Sequence, residues 1–342
     1  MDGAWVYLVT GGCGFVGERI VELLSRQDYI KEVRVFDSVA REEIEKLSTG
    51  KKRALKLHLG DIRDLSALLA ALQGVHVVLH TAALVDYRDT VPFGDMRAVN
   101  VGGEPHTVPS ALPCPHTHTL EAPAGTSSCA WCSLSLDPAH PELSNGGTLR
   151  TCIIRANTIY GEKAAFLQEL YLLARARNGV LNYLEPEDTE RNLTYVGNVA
   201  WMHVLAARHL QLQPDLLAGQ IYYCYDDTPS KKSFLVRHQL LSSADPSVRL
   251  GSHIPYWKMW LMIQLHRVIR AILPPFWRPQ PFLSVALLNT IVTSFSFQTD
   301  KASRHFGYKP LFTWQESRLR TAQWLRAAAG SLGPPQLHEK KN

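Results

Sequence analysis

Thr10-Gly11-Gly12-Cys13-Gly14-Phe15-Val16-Gly17 follows the short apolar run Trp5–Val9. It precedes a stretch in which Val16, Ile20, Leu23 and Leu24 recur at helical spacing. A pyrophosphate needs this combination: a tight turn, a backbone free of side chains, and amide donors at a helix N-terminus. Gly11, Gly14 and Gly17 supply it in one register, while Gly12, Gly14 and Gly17 give the commoner G-x-G-x-x-G spelling. Glycines alone are equally a packing turn. Here Asp37 closes the next apolar run, twenty positions beyond Gly17. Its carboxylate would accept hydrogen bonds from the adenosine ribose hydroxyls and repel a 2′-phosphate, so the pattern reads as a site for NAD. Phe15 and Val16 complete the cradle. Asp61 and Ile62, just past a third apolar run, would lie over the adenine edge, although Asp61 alone could equally cap a helix. Thr81, Ala82 and Ala83 end a fourth run, where small residues let a cofactor approach the backbone.

The elements that must position these residues alternate in kind. Strands are expected at Trp5–Val9, Val33–Phe36, Ala54–Leu59 and Val75–His80, with helices over Phe15–Leu24 and Leu65–Leu72. That alternation predicts an α/β, Rossmann-type doubly wound parallel sheet, with a smaller C-terminal region for substrate and membrane contact. Residues 1–155 read as the NAD-binding domain and 156–342 as the rest of the fold. Order is expected again from Thr151–Arg155 (strand), Ala164–Arg177 and Val199–His209 (helices).

Between Val101 and Gly147 the alternation stops. Seven prolines recur there among His and Ser, and Lys, Arg and Tyr are absent. Prolines at this density forbid an interior helix longer than a turn or two. The only stretch with strand character is Ser127–Leu136. Cys129-x-x-Cys132, with Cys114, His116, His118 and His140, fits no closed zinc spacing, so no metal is expected.

The chain resembles the 3β-hydroxysteroid dehydrogenase/isomerase family of extended short-chain dehydrogenases/reductases. The resemblance rests on Val9–Gly17, Val35-Phe36-Asp37, Gly60-Asp61-Ile62, His80–Ala83 and Asn100–Gly103. It continues in Arg155–Glu162 (R-A-N-T-I-Y-G-E), Tyr195–Ala200 (Y-V-G-N-V-A), Gly219–Pro229 and Phe306–Pro310. It implies hydride transfer between the 3β-carbon of a steroid or sterol and NAD, followed by a shift of the Δ5 double bond. It implies too that a Tyr in Y-x-x-x-K removes the hydroxyl proton, its pKa lowered by the Lys, while a Ser polarises the oxygen. None of the tyrosines here has a lysine four residues on; Tyr160 has Lys163 at three. The departure falls within 104–147, where Ser127-Ser128 is the faint remnant of a catalytic strand end. No catalytic residue is therefore assigned, and the chain is expected to be an NAD-dependent oxidoreductase by family, impaired in chemistry. The alternatives are a non-catalytic NAD(H)-binding homologue and a nucleotide-sugar epimerase or dehydratase.

Residues 254–273 interleave Trp257, Trp260, Leu261, Ile263, Leu265, Val268 and Ile269 with Lys258, Arg267 and Arg270, the pattern of a surface-lying anchor. Residues 279–299 carry no charge, but two prolines and several polar residues weaken them as a spanning helix. A buried substrate-region core is the alternative. Apolar residues at 46% and charged residues at 20% describe a globular protein. The net charge of +5 is spread without a basic stripe, which excludes nucleic acid as a partner. The N-terminus shows no secretory pattern, so a cytosolic start and six reduced cysteines are expected. The resemblance points to the endoplasmic reticulum membrane, with a homodimer left open.

Overall fold

The computed structural model describes residues 5–42, 44, 54–86, 91–101, 129–135, 150–272, 283–295, 297 and 300–331. A seven-stranded sheet forms its centre, from β1 (Trp5–Thr10), β2 (Ile30–Asp37), β3 (Ala54–Leu59), β4 (Val77–His80), β5 (Cys129–Ser135), β6 (Arg150–Arg155) and β10 (Ile221–Tyr223). Their order across the sheet is β10-β6-β5-β4-β1-β2-β3. β1 is paired parallel to β2 and β4, β2 to β3, and β6 to β10.

The expected parallel, Rossmann-type sheet is present, with one strand reversed. β5 is antiparallel to both neighbours: His80 partners Trp131 and Val77 partners Ser135 on one side, while Arg155 partners Cys129 and Arg150 partners Ser135 on the other. It begins at the carboxyl edge of the sheet and ends at the amino edge. The reason is connection length and content. Parallel strands need a crossover of a dozen or more residues, usually a helix, whereas antiparallel neighbours can be joined directly. The seven prolines between 101 and 147 disfavour such a helix there.

Helix α1 (Phe15–Leu24) runs straight out of the glycine turn and buries Ile20, Val21, Leu23 and Leu24. That face joins Val9, Leu79, Ile154, Val199, Met202 and Ala206 in the larger core. Packed beside α1 on the same face of the sheet lies α5 (Val196–Leu212), buried over most of its length. The opposite face is smaller, with α2 (Leu65–Leu72) packing Leu68 and Ala71 on Val6, Leu8, Phe36 and Val78. Asp64 caps α2 by accepting from the Ser66 and Ala67 amides, as an N-cap carboxylate should. Helix α3 (Phe93–Asn100) has no buried residue among those described.

The C-terminal half adds two small parallel pairs, β7 (Thr158–Tyr160) with β9 (Leu193–Tyr195), and β8 (Val180–Tyr183) with β11 (Arg249–His253). Helices α4 (Ala165–Ala176), α7 (Ser233–Ala244) and α11 (Trp314–Ser331) share a second core around Leu167, Tyr171, Val236, Leu240 and Leu325. Short helices α6 (Pro214–Leu217) and α10 (Lys301–Phe306) flank the sheet's β10 edge. Among the described side chains of helix α8 (Tyr256–Ile272), Met259 and Ile263 are the buried ones, packed against Leu288 of α9 (Val285–Val292). The uncharged run 279–299 thus contributes an eight-residue helix, and no helix among the described residues is long and apolar enough to cross a membrane.

Candidate functional site

The glycine turn is built so that nothing larger fits. Gly11 sits at φ 69°, and a Cβ there would lie 2.6 Å from the Ala82 amide nitrogen. A Cβ on Gly17 would stand 2.1 Å from the Gly11 carbonyl oxygen, so strand, turn and helix close on each other only as glycines. Gly12 packs its bare backbone on Val35. Gly14 is the N-cap of α1 in extended conformation, and no side chain caps the helix there. The Phe15, Val16 and Gly17 amides are therefore the first-turn donors of a helix with its positive end open, which is what a pyrophosphate requires.

The other expected residues converge on the same edge. The Asp37 carboxylate at the end of β2 accepts from the Cys13 amide (2.9 Å) and the Val39 amide (3.2 Å). A carboxylate has about four acceptor positions, so capacity for ribose hydroxyls remains. Asp61 and Ile62 follow β3, and Ile62 is buried. The Asp61 carboxylate is already clasped by Arg63 through Nε and Nη2, which holds its pKa below the usual carboxylate value. Thr81 leaves β4 with both its amide and its hydroxyl donating to the Thr10 carbonyl. Ala82 backs onto Gly11, and Ala83 follows it in the same extended stretch.

Further contacts, which the sequence motifs did not reveal, hold this edge together. Thr10 Oγ1 and His80 Nδ1 hydrogen-bond at 2.6 Å, tying β1 to β4, and burial pushes the His80 pKa down to about 4. Asn100 brackets Leu84, donating to its carbonyl (2.8 Å) and accepting from its amide (2.7 Å). Its only signal was the N-V-x-G spelling. Two crossed ion pairs join the first turn of α1 to the turn after β7: Glu18 with Lys163 (2.8 Å) and Arg19 with Glu162 (3.2 Å).

No described tyrosine offers a proton-transfer group in this edge. Tyr160 is fully buried, hydrogen-bonded to Thr228 Oγ1 at 2.8 Å, and burial raises its pKa well above the ordinary phenol. Lys163, its neighbour at three, spends its ammonium on Glu18. Tyr195 donates to Glu162 and is likewise raised, by burial and then by that carboxylate. A catalytic tyrosine must go the other way, toward ionisation near neutral pH. Ser127-Ser128 and most of the Cys/His cluster lie outside the described residues; among the described ones no group of three metal ligands occurs. A cleft of about 480 Å³ is lined by Glu162, Glu316, Leu319, Arg320, Gln323 and Trp324, and by no residue of the glycine turn.

The pattern of the 3-beta hydroxysteroid dehydrogenase/isomerase family matches residues 8–114 and 136–251. The chain belongs to that family. It is 34% identical to 3 beta-hydroxysteroid dehydrogenase type 7 of Mus musculus, over 95% of this chain and 97% of that protein. The Rattus norvegicus protein of the same name is 36% identical, over 96% and 97%. The family match pauses only at 115–135, a narrower break than the sequence boundaries implied, and β5 lies inside it. Among solved structures, UDP-glucose-4-epimerase from Stenotrophomonas maltophila, with bound NAD, superposes with a TM-score of 0.61 at 17% identity, covering 97% of this chain and 100% of that one. The dTDP-glucose 4,6-dehydratase DesIV of Streptomyces venezuelae gives 0.59 at 19%, covering 96% and 99%. At these identities they establish the fold alone, a Rossmann-type α/β chain, while the dehydrogenase family rests on the matches above.

Proposed function

We propose that this chain binds NAD(H) in the groove above Gly11–Gly17, Asp37, Asp61–Ile62 and Thr81–Ala83, receives a 3β-hydroxy-Δ5 steroid or sterol in its C-terminal half, and has lost the proton transfer that would make it an efficient dehydrogenase/isomerase. The observation that carries the loss is the direction of β5. Ser135 and Arg150 are paired at one edge of the sheet, so the link between β5 and β6 need not cross it. In the parallel arrangement that link is the crossover helix on which the family carries its tyrosine and lysine. Bound NAD would supply the hydride acceptor. The residues of this chain orient it: the α1 amides hold the pyrophosphate, Asp37 the ribose, and the Thr81–Ala82 backbone gives the flat approach along β4. Among the described residues, no group is placed to take the hydroxyl proton.

The test is turnover. Purified protein saturated with NAD should show no NADH formation with a 3β-hydroxy-Δ5 steroid. Replacing residues 104–147 by the corresponding family segment with an intact Y-x-x-x-K should restore it. Robust turnover by the unaltered chain would remove the proposal.

The reading includes a membrane surface as partner. Trp257, Trp260, Leu261, Leu265 and Val268 of α8 are all exposed, with Lys258 stacked 5.7 Å from the Trp257 ring. Exposed tryptophans beside a basic residue suit the headgroup boundary, where a sterol is also found. Flotation with phosphatidylserine-containing vesicles should recover the protein, and Trp257→Ser with Trp260→Ser should release it; equal recovery of both would point α8 at another surface.

A further inference from the structure

Helix α1 meets the C-terminal half at its first turn. Phe15 and Val16, whose amides are open donors there, pack partly buried side chains on the second core, the one that holds Tyr160, Leu167 and Tyr171. The two residues after Gly17 carry the crossed ion pairs. Glu18 holds the Lys163 ammonium through both carboxylate oxygens, at 3.0 and 2.8 Å, and Arg19 holds Glu162 at 3.2 Å. Each pair is braced from behind: the Tyr195 hydroxyl of β9 donates to Glu162 (2.8 Å), and Arg19 also reaches Glu22 (3.0 Å). The Glu18 and Glu162 side chains keep only 14% and 13% of their exposure. Water and salt therefore screen these pairs less than ordinary surface pairs.

The backbone of the 161–163 turn is bent to make this contact. Lys163 stands at φ 73°, a left-handed conformation that is costly for a residue with a Cβ. Glycine would sit there at less cost, but it could not bring an ammonium to Glu18. A strained residue persists where its surroundings over-determine it, and here the Glu18 carboxylate is the group that does so. The turn is pinned on its other side too. Gly161, at φ 136°, lies so close to Val196 and Tyr195 that a Cβ would meet Val196 Cγ1 at 2.6 Å.

We infer that the crossed pairs are a latch through which bound NAD(H) orders the start of the C-terminal half: β7, the 161–163 turn and α4. The inference rests on the cofactor reading above and adds a response to it. Phosphate oxygens on the Phe15–Gly17 amides fix the first turn of α1. The ion pairs begin at the next residue, so the same event holds Lys163 and Glu162 in place, and with them the turn that leads into α4. Coupling of this kind is reciprocal. A latch that passes order outward from the cofactor also tightens the cofactor when it is closed.

The experiment is hydrogen exchange of the full chain with and without saturating NADH, read by mass spectrometry, beside calorimetric titration with NADH. In the native chain NADH should slow exchange in α1 and also in α4. Lys163→Gly with Glu162→Gln removes both pairs, yet keeps the left-handed turn and an acceptor for Tyr195. In that variant NADH should still protect α1 but leave α4 unchanged. Its NADH affinity should fall at least about fivefold, the low end of coupling between sites. Lys163→Arg keeps the charge and should keep both readouts. Glu18→Gln leaves the turn untouched; it should show a smaller loss of α4 protection and covers the case in which the double variant fails to fold. Equal α4 protection in native and unlatched chains, or none in the native chain while α1 is protected, would overturn the latch and leave the cofactor reading standing. Failure of the native chain to bind NADH would overturn both.

Discussion

The sheet divides at β4. On one side, β1, α1, β2 and β3 carry the glycine turn and Asp37 expected of a dinucleotide site, with Gly11 and Gly17 admitting no Cβ. On the other, β5 fills the right slot in the wrong direction. A sheet position can be satisfied by any strand that pairs, because the ladder asks only for backbone donors and acceptors. A catalytic position cannot, because it asks for one side chain at one point. On the function proposed above, the fold tolerates a substitution that its chemistry does not.

The largest test of this contrast is the segment replacement. General acid–base catalysis by a positioned group contributes about 10²–10⁴-fold, so restoring the parallel β5 and its crossover should raise turnover by at least that factor. A rise without the Tyr and Lys of the graft would show that strand direction alone was limiting. On the intact side, Asp37→Ala should erase the preference for NADH over NADPH, a change of about tenfold or more for a lost charged hydrogen bond. Equal affinities in the native chain would remove Asp37 from the ribose site.

A smaller effect reports on the boundary strand itself. His80, on β4 between β1 and the reversed β5, has a folded pKa of about 4 against an ordinary value of 6.5. A depressed folded pKa means the unfolded chain binds the proton more readily. The stability is therefore present above pH 6.5 and is lost as pH falls through 6.5 toward 4, by up to about 1.4 kcal/mol per unit. Denaturant melts at pH 7 and pH 5 should show a shallower loss for His80→Gln than for the native chain. Buried His203, shifted in the same direction, should keep a residual slope in both. An unchanged slope would mean that the β1–β4 seam opens without exposing His80.

Much of the cofactor edge was legible because its determinants are local. The glycine turn, α1, β3 and α2 stand where spacing put them, and Asp37 ends its strand as expected. β5 was legible only as a strand: Cys129–Ser135 falls within the expected Ser127–Leu136, but alternation carries no information about direction, which connection length and distant partners decide. The tyrosines needed the structure for another reason. Tyr160 beside Lys163 reads in sequence as a near miss of a catalytic pair, and only burial and the Glu18 ion pair show both groups engaged elsewhere.

The reversed strand also changes the order in which the sheet can assemble. β5 and β6 partner across a short reach of chain, Ser135 with Arg150, whereas β5 and β4 partner across several times as much, Val77 with Ser135. Loop closure costs rise with the length enclosed, and short-range pairings form first. The antiparallel β5–β6 ladder is thus a local folding unit that docks on β4 late. Its seam with β4, the line along which the intact and altered halves meet, therefore closes after the β5–β6 ladder.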